Sequence, residues 1–170
     1  VSWWRPLRDF LLSQLIEQKM GGGISTSIEL GSGYDAMADE VRKRAAIVSF
    51  CREQLGKPYR FGVENNFDTV EAWDCSELVE MAYRKNGLFI PDGALYQYEL
   101  FQPSPIAPAD LFFLWSDTRH QIGHVMVHTD IGTVIHAVQG RGVVEDPFSM
   151  WESHARARGS RRHPEFSRAG

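Results

Sequence analysis

Cys75, His124 and His136 are the residues whose types and order suggest chemistry as well as packing. The thiolate is the reactive form of cysteine, and it needs a local positive field. The run Trp73-Asp-Cys-Ser-Glu-Leu-Val-Glu-Met-Ala-Tyr-Arg-Lys-Asn-Gly87 offers one. Leu78, Val79, Ala82 and Tyr83 fall on one helical face, and Gly87 closes the helix. Cys75 then stands in the first turn, where unpaired N–H groups and the positive end of the dipole favour an anion. A buried cysteine beside a capping Asp74 or Ser76 would give the same pattern, so the cysteine alone decides nothing. The histidines change the balance. His124 follows Gly123 on one expected strand and His136 lies on the next, with a hairpin turn between them, so they can face each other across the ladder. Val125 and Val127 point to one side, and His124, Met126 and His128 to the other. A nucleophile on a helix, packed against a base and an orienting group on adjacent strands, is the arrangement a catalytic triad needs. Zinc is possible in ligand type, but no Cys-x-x-Cys or His-Glu-x-x-His spacing accompanies these residues. Neither a metal nor another cofactor is expected.

The elements that must hold these residues read as helices first and strands after. Pro6 to Met20 has helical spacing in Leu7, Phe10, Leu11, Leu15 and Ile16, with Pro6 suited to a first turn. Gly21-Gly22-Gly23 stops it, and the Gly/Ser-rich stretch to Gly33 reads as a linker. Trp3 and Trp4 just before it are expected to dock on the body of the protein, the alternative being a membrane interface, where such a helix is usually more basic. The N-terminal helix itself is expected to dock on the domain or on a partner protein. A second helix is expected from about Asp35 to Leu55, with Val41, Ala45, Val48, Cys51 and Leu55 as its apolar stripe and Gly56 and Pro58 as its stop. Cys51 there is a small core residue. Short runs rich in β-branched and aromatic residues follow: Asp110–Trp115, Ile122–Thr129, Thr133–Val138 and Gly142–Glu145. This order gives an α+β class with an antiparallel sheet. The expected organisation is a helix and linker over 1–33, a catalytic domain over 34–155 and a basic tail over 156–170. His120, His128, His154 and His163 are expected at the surface or partly buried.

Composition narrows the class. The 170 residues are 43% hydrophobic and 24% charged, which suits one packed domain. A net charge of −4 gives no electrostatic reason for a nucleic-acid partner. Arg156, Arg158, Arg161, Arg162 and Arg168 concentrate positive charge near the end, which reads as a solvated tail. Two cysteines cannot build a disulfide framework. No apolar run approaches the roughly 18 residues that span a bilayer. The first residues, interrupted by Arg5, Arg8, Asp9 and Glu17, do not read as a secretory signal.

From Ala45 to Trp151 the chain resembles the NlpC-type, papain-like peptidases of bacterial cell walls. Leu55-Gly-Lys-Pro-Tyr-Arg-Phe-Gly62 is similar to that family's Gly-x-Pro-Tyr-x-x-Gly element, and Asp74-Cys75-Ser76 to its nucleophile motif. Gly87, Pro91 and Gln97 fall where the family has its Gly, Leu-Pro and Ser-x-x-Gln elements. Ala107-Pro-Ala-Asp-Leu-Phe-Phe113, Gly123-His-Val125 and Ile135-His-Ala137 complete the series in order. The resemblance implies a papain-like fold with the nucleophile at a helix N-terminus. It implies that Cys75 attacks a carbonyl, His124 takes the thiol proton and His136 orients His124. It places Tyr59, Asp74, Ser76 and Gln97 at the substrate, Asp74 and Ser76 holding the free amine of a peptidoglycan stem peptide. The implied target is the bond between γ-D-glutamate and the following diamino acid. Glu77, Met126 and Asp92 depart from the pattern, where Gly, Gly and a basic residue are usual, as does the acidic loop over 63–73.

Two other readings stay open. One is a cell-wall amidase or endopeptidase of the CHAP type, which also orders Cys before a Gly-His-Val strand. The other is an inactive wall-binding or virion structural module. The helix at the start and the lack of a visible signal would suit a phage-encoded, virion-associated lysin, or a fragment released from a longer precursor.

Overall fold

The computed structural model describes residues 27–65 and 70–166. Three helices and six strands follow in order: α1 (Ser27–Glu53), α2 (Cys75–Arg84), α3 (Ala94–Leu100), β1 (Gln102–Pro103), β2 (Leu111–Ser116), β3 (Gln121–His128), β4 (Thr133–Val138), β5 (Gly142–Pro147) and β6 (Ala157–Arg162). A short 3₁₀ turn, Phe148–Met150, separates β5 from β6. The strands form one sheet in the order β1-β6-β2-β3-β4-β5, with every pairing antiparallel. This is an α+β papain-like fold. The chain divides into two compact units, Val1–Ala38 and Asp39–Gly170. The expected helix over 6–20 lies outside the described residues.

Alternation along the strands builds two apolar layers. Val125, Val127, Ile135 and Ala137 face the larger core with Leu78, Val79, Ala82 and Tyr83 of α2 and Ile47, Val48 and Cys51 of α1. Phe112, Leu114, Met126 and Val134 form a smaller cluster, against which Phe148 and Trp151 pack.

Four expectations need correction. Helix α1 begins at Ser27, so the last residues of the expected linker are helical. Gly31 and Gly33 each cost about 1 kcal/mol in a helix, but neither forbids it as a proline would. Its buried face is also turned from the one expected. Arg44, Ile47, Val48, Cys51 and Gln54 are buried, whereas Ala45 and Leu55 are exposed. The cause is Asp110, wholly buried, whose carboxylate accepts hydrogen bonds from Arg44 (2.9 Å) and Arg162 (2.8 Å). A buried carboxylate requires such partners, and their demand sets the rotation of α1. Thirdly, the basic tail is not a solvated end up to residue 166. Ala157–Arg162 is a sheet strand, and Arg161 donates to the carbonyls of Tyr98 and Phe101. Finally, His128 and His163 are buried, bonded to Ser160 Oγ (2.8 Å) and the Phe89 carbonyl (2.7 Å) and enclosed by aromatic rings. Cys51 is fully buried, and both cysteines are free thiols.

Candidate active site

Asp74 caps α2 and thereby places Cys75 as its first residue. The Asp74 Oδ1 accepts the Glu77 amide at 2.8 Å and the Ser76 hydroxyl at 3.0 Å, while its Oδ2 accepts the Gly62 amide at 3.1 Å. One carboxylate therefore satisfies an orphan helix donor and ties down the loop that carries Tyr59. That loop is stitched elsewhere too. Tyr59 and Trp73 form a parallel bridge, and Gly56 and Lys57 exchange backbone bonds with Val143 of β5. Glu77, a departure from the family pattern, accepts the Asn65 amide at 2.6 Å and so anchors the start of the acidic loop.

The helix packs on β3 and β4, and this brings the thiol to the strand that carries His124. The backbone amides of Val125, the residue after His124, and of Ser76 and Cys75 lie near enough to the Cys75 sulfur to favour its thiolate. His124 Nε2 and His136 Nδ1 are 2.8 Å apart. His136 is buried, and its Nε2 lies 3.0 Å from Asp146 Oδ2. Arg141 grips Asp146 with both guanidinium nitrogens, at 2.9 and 2.8 Å. The Trp151 ring stands edge-on to His136, with centroids 5.2 Å apart, and screens it from water.

The electrostatics differ from the expected thiolate. Burial, and then the Asp74 carboxylate, push the Cys75 thiol up to about 11, against the pull of the three amides. Burial and the neighbouring His136 push His124 down to about 3. Both shifts favour the uncharged forms, thiol and imidazole. Burial also lowers His136, against the opposing effect of Asp146. Arg141 holds the Asp146 carboxyl well below the usual carboxylate range. Burial, Cys75 and Asp74 raise the Tyr59 phenol.

Of the residues expected at the site, Asp74 and Ser76 flank Cys75 in the first turn of α2, His124 and His136 are hydrogen-bonded to each other, and Tyr59 feels the charge of both Cys75 and Asp74. Gln97 does not join them. It is fully buried, and its amide donates to the carbonyls of Ser76 (3.0 Å) and Pro91 (3.1 Å), so it braces the first turn of α2 instead of lining a substrate wall. Asp146 and Arg141 were not anticipated. A polar residue two positions along a strand from the cross-strand partner of His136 is the only trace they leave in the sequence.

The sequence model of the NlpC/P60 family matches residues 56–161, from the loop before Tyr59 to the last strand. The chain belongs to the NlpC/P60 family. NlpC/P60 members are cysteine peptidases or hydrolases acting on peptidoglycan. Solved structures of the family share the fold. A lipoprotein-like NLP/P60 protein of Staphylococcus aureus is 26% identical, with a TM-score of 0.59 over 71% of this chain and 41% of that one. The NlpC/P60 domain of the peptidoglycan hydrolase SagA is also 26% identical, with a TM-score of 0.53 over 64% of this chain and 92% of that one. A family protein from Bacillus cereus has a TM-score of 0.62 at 22% identity, over 71% of this chain and 40% of that one. The chain thus spans about two-fifths of the first and the last of these. No curated protein sequence matches it.

Proposed function

We propose that this NlpC/P60 domain is a cell-wall cysteine endopeptidase that cuts stem peptides between γ-D-glutamate and the following diamino acid. The observations that carry the reading are a cysteine in the first turn of an Asp74-capped helix packed on β3 and β4, and the 2.8 Å contact between His124 and His136 on those strands. His124 removes the Cys75 proton as the sulfur attacks the substrate carbonyl, and the resting thiol and imidazole become an ion pair only during that step. The unpaired amides at the start of α2 would donate to the developing oxyanion. Collapse of the tetrahedral intermediate breaks the C–N bond. The leaving amine takes the proton from His124 and a thioester remains on Cys75. Water, deprotonated by His124, then releases the acid and restores the thiol.

Tyr59, Asp74 and Ser76 border the thiol and would receive the L-alanyl-γ-D-glutamyl half. Asp74 supplies negative charge for a free amine there. The carboxylates of Glu77, Glu80 and Asp92 converge to within 4.8 Å of one another, and burial pushes Glu80 up to about 7. Two of the three are departures from the family pattern, so substrates with lysine and with diaminopimelate both belong in the test. Mass analysis of a digested free tetrapeptide should show a dipeptide ending in γ-D-glutamate and a fragment beginning with the diamino acid. Release of an intact stem peptide from the sugar would make the enzyme an amidase. A cut within a cross-bridge would favour the CHAP-type reading.

A further inference from the structure

We propose that Asp146, clamped by Arg141, is a positioning residue that selects the tautomers of both histidines and leaves His124 Nδ1 bare for the thiol proton. The inference rests on the reading of His124 as the base. β4 and β5 pair Val134 with Asp146 and His136 with Val144, so His136 and Asp146 are diagonal neighbours on one face. The carboxylate, 5% exposed, meets His136 Nε2 at 3.0 Å. Arg141 sits in the turn between those strands, where Gly140 and Gly142 both have positive φ, and reaches back along β5 to hold both carboxylate oxygens. A bidentate guanidinium fixes the plane of the carboxylate as well as its charge.

The proton assignment follows link by link. An ionised carboxylate only accepts, so His136 must carry its proton on Nε2. A neutral imidazole with a protonated Nε2 has a bare Nδ1, which can only accept. His124 Nε2 lies 2.8 Å from that nitrogen and must therefore be the donor. The remaining nitrogen of His124, Nδ1, is then unprotonated. Without Asp146 the opposite tautomer of His136 becomes accessible. It would donate from Nδ1 to His124 Nε2 and put the proton of neutral His124 on Nδ1, where it blocks proton transfer. The charged and titratable groups facing this chain are few. His136 is faced by His124 from β3, by Asp146 of β5 and by Arg141 of the turn. The Trp151 ring, with His154 beyond it, closes the last side.

The test combines kinetics with spectroscopy. Nitrogen-15 spectra of the wild-type histidines should show both His136 and His124 protonated at Nε2 at neutral pH. Asp146→Leu, which removes the acceptor, should lower kcat about ten- to a hundredfold with KM nearly unchanged. Asp146→Asn, which keeps an acceptor oxygen without the charge, should recover part of that loss. In the Asn variant the acid limb of the kcat/KM profile should move to lower pH, because a negative charge that favours imidazolium has gone. Wild-type spectra showing His136 protonated at Nδ1 would overturn the inference even if no Asp146 variant folds. So would wild-type kcat and pH profile in Asp146→Leu, with Cys75→Ala and His124→Ala both inactive. Activity surviving in Cys75→Ala would instead defeat the proposed function and leave the tautomer result standing by itself.

Discussion

Gly123→Ala should disable the site through packing alone, and Ser116→Gly should restore it. β2 and β3 pair Leu114 with His124 and Trp115 with Ile122, which leaves Gly123 as the extra residue of a bulge immediately before the base. A Cβ placed on Gly123 would lie 2.4 Å from the Ser116 Cβ and 3.2 Å from its Oγ. Carbon atoms pack at about 3.5–4.0 Å, so the strands would have to part by about 1 Å or more. Overpacking of this kind costs about 1–3 kcal/mol, and a catalytic group misplaced by about 1 Å can lose about a hundredfold in rate. Ser116→Gly removes both close atoms and leaves the Cα at 3.5 Å, an ordinary contact. The assay is a double-mutant cycle read in urea midpoint and in kcat on stem peptide. Gly123→Ala should be poor in both, and the double variant should approach Ser116→Gly alone. A double variant no better than Gly123→Ala, or a Gly123→Ala enzyme like wild type, would refute the steric account of this glycine.

Two further outcomes follow from the buried titratable groups. Iodoacetamide should modify Cys75 before Cys51, whose thiol is fully buried and pushed up to about 12, yet the Cys75 rate should climb about tenfold per pH unit from 6 to 9. A plateau reached below pH 7 would show a resting thiolate–imidazolium pair instead. His128 is pushed down to about 4 by burial, so the unfolded chain binds its proton first as the pH falls. Its stability contribution is whole above pH 6.5, shrinks as the pH falls through the window down to about 4 and levels off below. That amounts to about 2–3 kcal/mol between pH 7.5 and 4.5. Urea titrations should show this loss diminished in His128→Gln, and an unchanged pH dependence would rule it out.

The parts of the fold legible in the sequence are those whose burial imposes a period. Thr133–Val138 is β-branched and apolar, and it forms the strand expected of it. Ala157–Arg162 escaped notice because Ala-Arg-Gly-Ser-Arg-Arg offers no apolar alternation, and its arginines satisfy themselves on carbonyls and on Asp110. The seven residues of α3 are too few to display a helical stripe. In the site, Cys75 announced itself through Asp74 and the apolar face of α2, and the histidines through their hairpin spacing. Asp146 could not be found that way. Its role depends on a diagonal contact between strands and on an arginine five positions earlier in chain order. The helix dipole likewise argued for a thiolate, but desolvation at 9% exposure outweighs it.

The central claim is that this domain hydrolyses cell-wall peptides through Cys75, and digestion of purified sacculi tests it most directly. Wild-type protein should release soluble peptides beginning with the diamino acid, and a muramidase digest of the treated sacculi should show muropeptides whose stems end at γ-D-glutamate, both identified by mass spectrometry. Cys75→Ala should release none while remaining folded, its melting temperature lowered by a few degrees at most through the lost burial of the sulfur. Equal release by the alanine variant, or none by folded wild-type protein on sacculi of either diamino acid, would contradict the account.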